Sequence, residues 1–327
     1  MAMTIDKDLI KRILVRTLSN IGDIILTTPV IRVLSKEFPG SRMDVMVGPR
    51  GREIFDKDPR IFKLIIYDKH GSIIQKRRLQ LKLRKLKYDL VVDLRNTVLP
   101  FFLAPKYRTS PIQSFPKNII HKRERHLYRL HSFGIQNLSE GSYIHIPKED
   151  EDYVENLLKT NAISGPIVIV NPGAKSHLKR WTVSGFAEVC DDLVSECGAE
   201  IVFVGMGEDK DIVLSITKRM KNKYYNFVDR TNIRQLAGLI KSSRLLITND
   251  SAPLHLGCAV GAKVLAIFGP TDPKKYGPTG EFDEVISKKL FCSPCEEAAC
   301  KYGHECMKLI SADEVLDAAK MGIEGYE

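Results

Sequence analysis

The chain has 327 residues, of which 43% are hydrophobic, and a formal charge of +10; its length is about twice that of a usual domain, so two globular domains are expected, each large enough for its own core. No run of about eighteen uncharged apolar residues occurs, which excludes a membrane-spanning helix, and the polar opening over residues 1–7 lacks the apolar core and cleavage site of a secretory signal, so a cytoplasmic protein is expected. The charge is uneven: residues 1–150 hold 29 Lys and Arg against 15 Asp and Glu, while the remainder holds 21 against 25, which points to an anionic partner for the first half.

In chain order, residues 11–16 (KRILVR) read as a strand and 17–23 as a polar loop. An amphipathic helix then runs to Phe38 and is stopped by Pro39-Gly40. Strands follow at 43–47 and 64–67, a basic helix at 73–86 and a buried strand at 89–94 (DLVVDL). Residues 107–147, rich in His, Arg and Lys, lose this rhythm; a helix over 149–159 leads into Ser164-Gly165-Pro166 and marks a boundary between domains 1–160 and 161–312. Beyond it, strands at 167–170, 201–204, 226–228, 245–248 and 264–268 alternate with helices at 184–197, 209–220, 233–241 and 253–260. The alternation predicts an α/β protein with two Rossmann-like, doubly wound parallel sheets in tandem, without short repeats. Segment 69–87 carries Lys76, Arg77, Arg78, Lys82, Arg84 and Lys85 and no acid; it is either a solvated helix face or a contact for phosphates or an anionic surface.

Ligands of open parallel sheets bind beyond the carboxyl ends of the strands, and four such loops stand out. In the first, Thr17 to Asp23, a Gly and an acid open a helix; Asp23 is either a helix-start charge or a general base able to accept the proton of a hydroxyl. The second, Asn171 to Trp181, holds Lys175, Ser176, Lys179 and Arg180, cations suited to a departing diphosphate, and a Trp that anchors the next helix. The third, Thr248 to His255, places Ser251 as an N-cap before Pro253, a helix start whose amides suit phosphate oxygens. Asp250 there would repel phosphate and is expected to accept hydrogen bonds from the loop or a sugar hydroxyl; His255 is either buried structure or a ligand contact. The fourth, Phe268 to Pro273, is a defined turn in which Thr271 reaches toward a phosphate or ribose hydroxyl. Gly205-Met206-Gly207 begins like a dinucleotide fingerprint, but Lys210 stands where the third glycine belongs.

Four segments, RTLSNIGDIILTTPVIR (16–32), VNPGAKSHLKRW (170–181), ITNDSAPLHLGCAVGAKVLAIFGPTDPKKYGP (247–278) and CSPC (292–295), together resemble glycosyltransferase family 9, the ADP-heptose:lipopolysaccharide heptosyltransferases. The resemblance spans nearly the whole chain. It implies a GT-B fold with a central cleft, an acceptor-binding first domain, a nucleotide-sugar-binding second domain and a final helix, 313–327, packing back toward the first. It further implies inverting transfer from ADP-L-glycero-β-D-manno-heptose to the Kdo or heptose of an anionic, lipid-linked inner core at the inner membrane face, with no cofactor or catalytic metal. Asp23 matches the family's proposed base. Lys175, Lys179 and Arg180, with Asp250, Ser251, Ala252 and His255, match its nucleotide-phosphate contacts. Many members carry Gly where this chain has Ala252, a mismatch if that position needs positive φ. Arg77, Arg78 and Arg84 are the acceptor-side basic candidates.

Of seven cysteines, Cys292, Cys295, Cys300 and Cys306 cluster beside His304. Their spacing is compatible with a zinc site, but reduced, structural thiols without metal are the expectation. Two rival classes remain: a Rossmann dehydrogenase with Asp229 on a ribose, and a basic nucleic-acid-binding protein, for which neither a recognised module nor interleaved aromatics are present.

Overall fold

Residues 5–136, 138 and 141–324 are described by a computed structural model, in which the strands build two parallel sheets. Two units divide between His145 and Ile146.

In the first unit, β1 (Arg12–Arg16), β2 (Arg42–Val47), β3 (Lys63–Ile66), β4 (Leu90–Asp93) and β5 (Tyr107–Arg108) are parallel, in the order β3-β2-β1-β4-β5. Ile13, Leu14 and Val15 of β1 are fully buried, as a central strand covered on both faces requires. The helices are α1 (Ile21–Ile25), α2 (Thr28–Glu37), α3 (Arg52–Phe55), α4 (Ile73–Lys85), α5 (Leu99–Leu103) and α6 (Lys122–Tyr128). The single helix expected after β1 is broken into α1 and α2. Thr27 and Thr28 turn their hydroxyls onto the carbonyls of Ile24 (2.6 Å) and Ile25 (2.7 Å), and Pro29 has no amide hydrogen to continue the ladder. A reciprocal capping box between Ser72 and Gln75 starts α4, which buries only Leu83 and leaves Ile73, Ile74 and Leu81 in solvent with Arg77, Arg78 and Arg84.

The second unit comprises α7 (Lys148–Thr160), β6 (Ile167–Asn171), α8 (Val183–Cys197), β7 (Glu200–Phe203), α9 (Lys210–Thr217), β8 (Tyr224–Asn226), α10 (Ile233–Lys241), β9 (Leu245–Asn249), α11 (Ala252–Val260), β10 (Val264–Phe268), α12 (Pro273–Tyr276), β11 (Glu284–Ser287), α13 (Glu305–Lys308) and α14 (Ala312–Glu324). Its parallel sheet runs β11-β10-β9-β6-β7-β8, the doubly wound order of a complete Rossmann sheet. Strand β8 lies two residues before its expected place, and β11, an edge strand with alternating exposure, was not anticipated.

One expectation about domain limits differs from the structure. Helix α7 belongs to the second unit, so the division falls at 145/146 rather than after 160. The Asp150 carboxylate of α7 takes the Arg234 Nε of α10 at 2.6 Å, and the Tyr153 hydroxyl donates to the Arg230 carbonyl at 2.5 Å. Burial alone would raise Asp150, but hydrogen bonds from Arg234 and Asn232 outweigh it and hold the carboxyl below its usual range. The final helix, α14, packs on α8 and the second sheet: Val315, Ala319 and Ile323 enter the second core, and Arg244 Nε donates to the Ile323 carbonyl at 2.8 Å. No helix among the described residues is long and apolar enough to cross a membrane.

Candidate functional site

Strand order reverses between β6 and β9, and the loops leaving these two neighbours form the crevice in which doubly wound sheets take ligands. Asn171, the last residue of β6, accepts from Ser251 Oγ at 3.0 Å through its side-chain oxygen and donates to the Val204 carbonyl at 3.1 Å. Ser251 is the N-cap of α11, yet it makes no capping bond to the first-turn amides, because its hydroxyl is turned to Asn171 and Thr248. With Pro at the next position but one, the positive end of α11 keeps backbone donors directed outward. Ala252 is not among the residues of positive φ, so its Cβ meets no backbone penalty there.

Asp250, following β9, is buried and forms the hub of this site. Lys179 Nζ lies 2.6 Å from its Oδ2, and Thr271 Oγ1 donates to the same oxygen at 2.6 Å. Asp250 therefore accepts from the loop, as expected, whereas the Thr271 hydroxyl is engaged by the carboxylate rather than directed at a phosphate. Arg180 is also committed: its Nε donates to the Ala174 carbonyl at 3.0 Å and braces the cationic loop. Lys175 is exposed and Ser176 half-buried, while His255 is buried inside α11. Trp181 ties the end of the loop down, with its amide on Asn249 Oδ1 (3.1 Å) and its indole N–H on the Ile310 carbonyl (3.1 Å).

A residue that periodicity did not single out closes the base of this loop. Asp209, after β7, is buried and bonds the Met206 amide at 2.9 Å; burial pushes its carboxyl up from the usual range. A Cβ at Gly173 would lie 2.1 Å from Asp209 Oδ1, so a larger residue there would have to displace the carboxylate. Asp229, the candidate ribose ligand of the dehydrogenase reading, forms an exposed ion pair with Lys210 at 2.8 Å.

In the first unit the reversal falls between β1 and β4. Asp23 stands half-buried on the first turn of α1, oriented by Asn20 Nδ2 at 2.9 Å. The neighbouring end of β4 supplies groups missed in the sequence. Asp93 accepts the Arg95 amide at 2.8 Å and the Thr97 hydroxyl, and lies 3.6 Å from Arg16 Nη1. Arg95 Nη1 reaches Ser19 Oγ at 2.7 Å. Arg129 is 4% exposed, and its Nε and Nη1, like Arg16 Nε, have no hydrogen-bond partner. Burial pulls both guanidinium groups down from their ordinary value, and Asp93 raises each in part. Burial and then the charges of Arg129 and Lys122 push the half-buried His126 imidazole down to about 3. Arg77, Arg78 and Arg84 belong to the exposed α4 and enter none of these contacts.

Cys292, Cys295, Cys300 and Cys306 form no disulfide. Among the described residues, no three His, Cys, Asp or Glu side chains stand as a ready metal centre.

The family model for glycosyltransferase family 9 (heptosyltransferase) matches residues 76–305. The chain is 26% identical over 310 residues to a lipooligosaccharide heptosyltransferase 2 of Campylobacter jejuni subsp. jejuni serotype O:6, covering 92% of this chain and 95% of that one. A family 9 glycosyl transferase from Veillonella parvula DSM 2008 superposes with a TM-score of 0.83 at 24% identity, over 99% of this chain and 98% of the other. The Escherichia coli ADP-heptose lps heptosyltransferase II does so with a TM-score of 0.77 at 21% identity, over 95% and 98%. The fold is accordingly GT-B. The chain belongs to glycosyltransferase family 9, the heptosyltransferases, and is an enzyme of nucleotide-sugar-dependent glycosyl transfer.

Proposed function

We propose that the enzyme transfers heptose, with inversion, from ADP-L-glycero-β-D-manno-heptose to the Kdo or heptose of a lipopolysaccharide inner core, working peripherally at the inner membrane face. The observation that carries the donor side is the Lys179–Asp250–Thr271 network beside the uncapped start of α11. It holds one ammonium group and a set of backbone donors at the carboxyl ends of β6 and β9. A diphosphate gains charge as the glycosidic bond breaks, and donors already in place stabilise that charge without reorganising. Lys175, exposed on the same loop, adds a second cation, and Ser176, Arg180, Ala252 and His255 shape the loop and helix start around it.

On the acceptor side, Asp23 takes the proton of the attacking hydroxyl as that oxygen approaches the anomeric carbon from the face opposite ADP, through an oxocarbenium-like transition state. The acceptor is polyanionic. The unpaired nitrogens of Arg129 and Arg16 and the exposed Arg77, Arg78 and Arg84 supply matching positive charge in the same domain. The related enzymes' names, ADP-heptose lps heptosyltransferase among them, support this choice of donor and acceptor.

A donor screen tests the reading: ADP-heptose, ADP-mannose and UDP- and GDP-sugars, each with Kdo-lipid A, followed by mass spectrometry at low and high salt. The expected result is a heptose mass added from ADP-heptose alone, with an acceptor KM that rises with salt. Equal or better kcat/KM with a UDP- or GDP-sugar overturns the donor assignment, and a salt-independent KM overturns the electrostatic part.

A further inference from the structure

Right-handed crossovers divide the helices of the first unit between the two faces of its sheet. Helices α4 and α5 lead toward the β5 edge and share one face, while α1, α2 and α3 lead toward β3 and share the other. On the first of these faces, Leu79, Leu83 and Leu86 of α4 meet Leu99 and Leu103 of α5 in one core over Val91 of β4. The outer sides of the same two helices are in solvent and are not polar. Ile73, Ile74 and Leu81 of α4, Phe101 and Phe102 of α5 and Val98 just before it are each half exposed or more. Apolar side chains scattered singly over a surface need no partner. These six instead stand on two helices in contact with each other.

Charge is ordered around them. Arg77 and Arg78 follow Ile74 by three and four residues, and Arg84 and Lys85 follow Leu81 by the same steps, so along α4 each apolar side chain has two cations as its surface neighbours. All four cations are exposed, as is Lys82, and none of the five has an ion pair among the described residues. Residues 69–87 contain no acid. The acids that flank this segment are engaged by backbone: Asp68 accepts the His70 amide at 2.8 Å, and Asp89 accepts the Lys11 and Arg12 amides at 2.9 Å. The Arg108 guanidinium lies 4.6 Å from the centre of the Phe101 ring, so the aromatic part of the surface has a cation of its own.

A nucleic acid would neutralise the cations and leave the apolar stripe in water, and a purely apolar partner would strip the cations of water without replacing it. The surface of a bilayer rich in anionic lipids meets both needs, because its phosphates face the cations while the adjoining acyl region receives the apolar side chains. The aliphatic stems of Arg and Lys lie along such a boundary with their charged ends at the phosphates.

We propose that α4 and α5 form a docking face for an anionic phospholipid bilayer, with the apolar side chains entering the headgroup boundary and the five cations of α4 on the lipid phosphates. This rests on the reading of a lipid-linked acceptor given above and names the surface through which the enzyme meets the membrane that carries it. The two helices begin beyond the carboxyl ends of β3 and β4, the edge of the sheet that also carries Asp23 and Asp93, so docking brings that edge beside the headgroups. The bilayer is recognised as a surface, and no single lipid needs a fitted pocket.

The full chain is sedimented, without sugar donor, with vesicles of phosphatidylcholine alone, of phosphatidylcholine with phosphatidylglycerol, and of phosphatidylcholine carrying Kdo-lipid A. Binding to the phosphatidylglycerol vesicles that weakens with salt, and little binding to phosphatidylcholine alone, is expected. Lys82→Gln with Lys85→Gln should weaken binding to the anionic vesicles roughly thirtyfold, and Phe101→Ser with Phe102→Ser should weaken it severalfold at every salt concentration. A third variant reports insertion directly and leaves every charge in place. Phe102→Trp adds an exposed indole to a chain whose one tryptophan, Trp181, is buried; its emission should shift to the blue on anionic vesicles and be quenched by brominated lipid. Equal binding to charged and uncharged vesicles, unchanged affinity in either double variant, or an unshifted reporter overturns the proposal. Binding only to vesicles that carry Kdo-lipid A overturns it in favour of the acceptor as sole partner. Sedimentation is read without the transfer reaction, so failure of the donor assignment and failure of the docking face remain distinguishable.

Discussion

The carboxyl ends of β1 and β4 in one unit and of β6 and β9 in the other are equivalent places in two sheets of the same winding, yet they are furnished differently. In the second unit, opposite charges meet: Lys179 and Thr271 converge on Asp250, and Asn171 and Ser251 satisfy one another. In the first, Arg16, Arg95 and Arg129 surround the single carboxylate of Asp93, and buried N–H groups on Arg16 and Arg129 are left unpaired. A buried donor without an acceptor costs free energy. The contrast separates a site whose charged side chains are paired with one another from one in which buried guanidinium N–H groups are left for an anion.

Three substitutions break or sharpen this contrast. The largest effect is expected from Asp23→Asn, which should lower kcat by roughly 10²–10⁴ through loss of the base while leaving ADP binding by calorimetry unchanged. A folded variant with near-normal kcat removes Asp23 from that role. Lys179→Ala comes next, because it strips the hub carboxylate of its cation and the diphosphate of an ammonium group. A loss of roughly ten- to a hundredfold in kcat/KM for the donor, with acceptor KM unmoved, is expected for a hydrogen bond to a charged group; a change confined to acceptor KM would reverse the assignment of the two sides.

The smallest effect concerns His126, whose folded value of about 3 lies below the ordinary 6.5. Between those values the unfolded chain binds the extra proton, so stability is complete above about pH 6.5 and falls as the pH drops toward 3. With the partial exposure of the ring discounted, the cost at pH 5 is about 1 kcal/mol. Urea melts at pH 7 and pH 5 should show that part of the acid loss missing in His126→Gln; equal losses in both proteins would show that the imidazole is not held neutral.

Much of this was legible in the chain. Strands β1, β6, β9 and β10 are continuous apolar runs, because both faces of a parallel sheet are covered, and loops after such strands pointed to Asp23, Lys179, Asp250 and Ser251. What was not legible depends on groups meeting across sequence distance. Asp93 looks like the end of a buried strand until Arg16, Arg95 and Arg129 gather round it, and Arg129 lies in the 107–147 stretch, where no period marks an inward face. Asp209 is one acid among several at a helix start until its carboxylate is found over Gly173. The engagement of Thr271 with Asp250 reverses the expected direction of its hydroxyl, because a buried carboxylate is a nearer acceptor than a solvent-facing ligand. Strand β11 alternates in exposure over only four residues, too short for its period to rise above the surrounding polar sequence.

The attachment of α7 to the second unit sets where two chains of this fold can be joined without breaking a buried pair. A hybrid joined after residue 160 would graft a foreign α7 onto a native α10 and separate Asp150 from Arg234 and Tyr153 from the Arg230 carbonyl. A crossover between His145 and Ile146 passes along both pairs together and leaves the second unit with its own ion pair and hydrogen bond intact.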